Sequence, residues 1–140
     1  PPRGGHSMSD HIQPVSSELC GLYHLLRQPR RCYLILLMAQ ESPPHDVHEV
    51  SKQVAAALNG SRVDDVAWDT YKNVIVSMKQ THVPALSERD VVCVDSECQQ
   101  LTPGPQFDLA VLLLHTGRLL WGLEQTTQWS PPNTTTEMTD

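Results

Sequence analysis

The chain has 140 residues, 39% of them hydrophobic, with ten Lys and Arg against sixteen Asp and Glu, a formal charge of −6. That length suits one domain able to bury about two thirds of its unfolded surface, and the acidic balance disfavours direct binding of a polyanion such as nucleic acid. Four cysteines without paired spacing, no visible secretory leader and no apolar run near the roughly 20 residues of a membrane helix exclude a stapled secreted domain and a spanning protein. The expectation is an intracellular protein, cytoplasmic or nuclear, with free thiols.

Residues 1–13 mix Pro, Gly, Ser and His with little to bury, so they read as a disordered tail. The next segment, Pro14 to Gln28, sets Val15, Leu19, Leu22 and Leu26 on one stripe, with Ser16 or Ser17 able to cap its start. It is expected to be a short amphipathic helix stopped by Pro29. Arg31 to Met38 then forms a continuous apolar run between Pro29 and Pro43-Pro44, which reads as a central strand buried on both faces.

Asp46 and Glu49 have capping-box spacing, and Val47, Val50, Val54, Ala57 and Leu58 continue one face as far as Asn59-Gly60. This predicts a helix with both ends marked. A second helix opens at Ser61 or Asp64, with Ala67, Tyr71, Val74, Ile75 and Met78 along one side. The β-branched stretch Val74-Ile75-Val76 leaves its C-terminal half open to a strand.

Beyond Pro84 the pattern becomes extended. Val91 to Val94 reads as a strand, Thr102 to Pro105 as a breaker, Phe107 to Leu114 as a strand, and Thr116-Gly117 as the turn of a hairpin returning through Arg118 to Leu123. Residues 129–140 close the chain with a second tail. The fold class expected is α+β, mixed α/β, in one domain over 14–128: about four strands with a C-terminal β-hairpin, packed by two or three helices.

Chemistry-bearing residues are sparse. Asp95 and Glu97 follow the strand Val91 to Val94, and alternate carboxylates at a strand end can hold Mg²⁺ or Mn²⁺. The string Val92-Cys93-Val94-Asp95-Ser96-Glu97 resembles the first acidic motif of the DEDD exonucleases over about 25 residues. That resemblance implies a metal-dependent phosphodiester hydrolase, or an inactive relative of one, with Asp95 and Glu97 as ligands and Asp90 or Asp108 assisting. Further acidic motifs that such an enzyme needs have no place before Asp140. His45, His48 and Glu49 lack the spacing of a zinc-protease helix, and Cys93 with Cys98 lacks a second pair. No nucleophile elbow, phosphate loop or dinucleotide fingerprint occurs. No cofactor is expected.

What remains is apolar surface. The first segment is apolar over more than one stripe, and the C-terminal hairpin carries Leu112 to Leu114, Leu119, Leu120 and Trp121 with little polar alternation. The leading expectation is a non-catalytic protein-protein interaction subunit or scaffold of a eukaryotic-type intracellular complex. It would dock protein partners through Leu22, Tyr23, Leu26, Leu120 and Trp121.

Overall fold

The computed structural model describes residue 12 and residues 14–127, with side chains through Gly122. The elements run α1 Ser17–Leu25, α2 Pro29–Ala39, β1 His45–Asp46, α3 Val47–Asn59, a 3₁₀ turn Val63–Asp65, α4 Trp68–Ser77, a π-helical turn Met78–His82, α5 Val83–Glu88, β2 Val92–Val94, β3 Gln100–Pro103 and α6 Phe107–Thr127. The expected tails, 1–13 and 129–140, lie outside the described residues apart from exposed Ile12.

The chain is mostly helical, with one small antiparallel sheet of three strands in the order β1-β3-β2. This corrects the expected sheet of about four strands with a C-terminal hairpin. Three strands of that expectation, Arg31 to Met38, Phe107 to Leu114 and Arg118 to Leu123, are helical. Arg31 to Met38 belongs to α2, where Pro29 begins the helix at a position whose N–H needs no partner. Its buried residues Arg31, Leu34, Ile35 and Met38 recur at helical spacing. Phe107 to Leu123 belongs to α6, and Thr116-Gly117 is helix interior.

α1 begins as expected, with the Ser16 hydroxyl accepting the Leu19 N–H at 3.0 Å. α3 is fixed at both ends. Asp46 Oδ1 accepts the N–H groups of His48 and Glu49 at 2.8 and 3.0 Å. At the other end Gly60 takes φ 66°, and Ser61 N–H donates to the Ala56 carbonyl at 3.0 Å. α4 stays helical through Val74 to Val76, because Val74 and Ile75 are buried on the face it packs against α3.

From Trp68 to Glu88 the backbone is helical throughout, and the π-helical turn comes just ahead of Pro84. Proline has no N–H to continue the α-helical ladder. Val83 N–H instead reaches back five residues to the Met78 carbonyl.

β2 and β3 form a hairpin with Cys93 opposite Thr102, and β1 adds to β3 with His45 opposite Leu101. Pro103, expected within a breaker, ends β3 where only β2 flanks it. The core lies between the helices and one face of this sheet. Leu34, Ile35, Met38, Val47, Val54, Val74, Met78, Leu86, Val91 and Leu101 are essentially solvent-free. Phe107 and Ala110 seat the first turns of α6 on α2.

Candidate functional site

α3 and α4 are tied together at the surface as well as in the core. The Tyr71 hydroxyl lies 2.9 Å from His48 Nδ1, its ring centroid is 5.6 Å from that of Trp68, and Lys52 Nζ stands 5.8 Å from the Tyr71 centroid. Val74, Ile75 and Met78 hold the inner side of α4 and the following turn. The opposite side therefore faces out, presenting Thr70, Lys72, Asn73 and Val76, followed by half-exposed Lys79 and exposed Gln80. Arg30 flanks this row, its Nη1 donating to Ser77 Oγ at 2.6 Å. Hydrogen-bonding amides, hydroxyls and ammonium groups thus stand in a line over about three turns. Asp69 is the carboxylate at the head of that row.

Beneath it lies a buried polar pair. Arg31 Nε donates to His82 Nδ1 at 3.0 Å, and Arg31 Nη1 reaches the Leu25 carbonyl at 3.4 Å. Burial, followed by the charges of Arg31 and Arg30, pushes the His82 pKa down to about 4, so at neutral pH the ring is the uncharged acceptor. Burial and then Arg27 lower the Arg31 pKa. This pair pins α2 to the π-helical turn.

The acidic motif has a local role. Asp95 Oδ1 accepts the N–H groups of Gln99 at 2.7 Å and Gln100 at 3.1 Å, while its carbonyl accepts Cys98 N–H at 3.0 Å. The Gln99 bond, then the Gln100 bond, hold the carboxyl below the usual range. Cys98 takes φ 55° in this turn. Glu97 is exposed at the same tip. Asp90 takes φ 63° and its carbonyl receives Gln106 N–H at 2.8 Å, while Asp108 lies in the first turn of α6. Among the described residues no three His, Cys, Asp or Glu side chains gather as a metal site would require. His45 is buried on β1, whereas His48 turns to Tyr71 and Glu49 to Lys52 at 3.8 Å. All four cysteines are free, with Cys32 Sγ directed at the Leu26 carbonyl.

The expected docking residues separate. Leu22 is core, at 2% exposure, and Leu26 is half-buried. Tyr23, Leu120 and Trp121 are exposed. Leu26, Tyr33, Leu36, Leu37 and Leu114 line a mostly apolar groove of about 670 Å³ between the α1–α2 connection, α2 and α6, with Arg27 and Arg118 at its edge. The α4 row was absent from the sequence expectations, although the apolar spacing of Tyr71, Val74, Ile75 and Met78 implies its position. Among the described residues no helix is long and apolar enough to cross a membrane.

A family model described as "Domain of unknown function (DUF7344)" matches residues 23–102, from within α1 to within β3, and the chain belongs to that family. No curated protein and no solved structure matches the chain.

Proposed function

We propose that this is a non-catalytic binding module of winged helix-turn-helix type, in which α4 is the helix offered to duplex nucleic acid. The observation that carries this reading is the placement of α4. It follows α3, packs on it, precedes the β2–β3 hairpin of a β1-β3-β2 sheet, and turns the Thr70–Gln80 row away from the core. Asn and Gln amides suit adenine edges, and lysines suit guanine or phosphate. The eight-residue connection 60–67 is longer than a minimal helix-turn-helix turn, and fold-level analogy supports the class rather than a particular target sequence.

The acidic chain bounds the strength of such binding. Lys72, Lys79 and Arg30 are the cations beside the row, whereas the hairpin tip carries Asp95 and Glu97. With two or three phosphates neutralised, log affinity falls against log salt with a slope of roughly −2 to −3. The test is a fluorescence-anisotropy titration of a labelled mixed-sequence duplex at low salt. Saturable binding that weakens on added salt and is abolished by Lys72→Glu with Lys79→Glu supports the reading. Flat anisotropy for the folded wild-type chain refutes it.

A second reading, a protein-docking subunit of an intracellular complex, is favoured by the exposed Tyr23, Leu120 and Trp121. The cytoplasm or nucleus suits both readings, since the thiols stay reduced there. The nuclease-like alternative rests on Asp95 and Glu97 and is weaker, because Asp95 Oδ1 already holds the hairpin turn.

A further inference from the structure

We infer, on the helix-turn-helix reading, that α4 reads A·T pairs of B-form DNA in the major groove, with the Asn73 amide on adenine and the Val76 methyls against thymine. Val74 and Ile75 face the core, so the middle of the outward side of α4 falls between Asn73 and Val76. At about 100° per residue these two side chains leave the helix about 60° apart, and about 4.5 Å apart along its axis. That axial step is of the order of the ~3.4 Å rise between neighbouring base pairs, so the two can meet adjacent pairs. Both are exposed, and Val76, at 42%, puts branched methyls into a polar row. Adenine presents the N7 acceptor and N6 donor that an amide bonds in two places, and thymine alone presents a C5-methyl.

The flanks of this strip carry charge. Round the helix the order is Lys72, Val76, Asn73, Ser77. Lys72 stands on one side, followed by Lys79 about two turns on. On the other side the Arg30 guanidinium is anchored by its Nη1 bond to Ser77 Oγ at 2.6 Å. A cation on each flank, with an amide and methyls between, complements the section of a major groove, where base edges lie between two phosphate backbones. That groove, about 12 Å wide, admits a helix of about 10–12 Å. Asp64, Asp65 and Asp69 are exposed at the head of α4, where they repel phosphate, so the contact falls on the turns from Lys72 onward. Duplex RNA does not fit, because its A-form major groove is too deep and narrow for side chains to read and uracil offers no methyl.

The test is fluorescence anisotropy of the full chain at low salt against labelled duplexes of alternating sequence: d(AT), d(AU), d(GC) and the RNA r(AU). The wild type is expected to bind d(AT) roughly tenfold or more tighter than d(GC), the difference a lost amide–adenine pair makes. Removing the thymine methyl in d(AU) is expected to weaken binding about fourfold. Asn73→Ala is expected to lose the preference for d(AT) over d(GC), and Val76→Ala to bind d(AT) and d(AU) equally. Both positions are exposed, so helical circular dichroism is expected to stay unchanged in each variant. Wild-type affinity that is equal for d(AT) and d(GC), or for d(AT) and d(AU), overturns the assignment and leaves the helix-turn-helix reading standing. So does r(AU) bound as tightly as d(AT), or a folded Asn73→Ala chain that keeps the full preference. Flat anisotropy with every duplex removes the helix-turn-helix reading as well.

Discussion

α2 and α6 each carry a long apolar run, yet they sit in different surroundings. α2 is enclosed: Leu34 and Ile35 are at 0% exposure beneath α3 and α6, and Arg31 is tied to His82 on another element. Among its described side chains α6 is fully buried at Phe107 and Ala110 and partly at Val111, Leu113 and Leu114, while its later turns leave Leu119, Leu120 and Trp121 exposed. Apolar content therefore does not separate an enclosed helix from one with exposed turns. What separates them, among the described residues, is how much of each helix other elements cover.

The contrast is broken most forcefully by truncation on each helix. Leu34→Ala leaves a cavity in a closed site and is expected to cost about 2–5 kcal/mol in urea unfolding. Leu120→Ala, at an exposed position, is expected to stay within about 0.5 kcal/mol of wild type. Equal losses at the two positions would show α6 to be enclosed like α2.

Acid sharpens the comparison, because α2 depends on a neutral histidine. The His82 pKa, about 4 in the fold against an ordinary 6.5, means that the unfolded chain binds the extra proton first. Stability is thus complete above about pH 6.5 and falls as pH drops toward 4, by at most about 3 kcal/mol. Urea midpoints at steps across that window measure it. His82→Gln is expected to flatten this part of the profile.

Smaller effects come from residues that hold the cover in place. Asp46→Ala removes the cap of α3, the helix lying over α2, and is expected to cost about 1 kcal/mol by thermal melting. Asp95→Ala frees the Gln99 and Gln100 N–H groups, so faster exchange of those two amides is expected with little change in the melting midpoint.

These contrasts also explain what could be read in advance. α3 was legible because Asp46 and Gly60 mark its ends and Val47, Val50 and Val54 its face. α2 and α6 were not, since an unbroken apolar run carries no period that distinguishes a buried strand from a covered helix. Pro29 can stop one helix or start the next, and its sequence alone does not say which. Thr116-Gly117 imitates a turn, but the helical spacing of Phe107, Ala110 and Leu114 fits α6. The strand Val91–Val94 was placed well, although Thr102 and Pro103 proved to be its partner strand rather than a breaker.

The candidate surfaces were legible to a similar degree. Tyr23, Leu120 and Trp121 were named and are exposed, whereas Leu22 faces the core because α1 turns its Leu22–Leu25 side inward. The Asp95 carboxylate is held in the hairpin turn by the Gln99 and Gln100 N–H groups. The outward row of α4 needed the tertiary structure, since only the packing of α3 against Val74, Ile75 and Met78 fixes which side is free.

Hydrogen exchange along α6 tests most directly whether its later turns lack the cover that α2 has. The amides of residues 107–114 are expected to exchange as slowly as those of α2, and those of residues 115–122 to exchange fast. Exchange of 115–122 as slow as that of α2 would contradict the account.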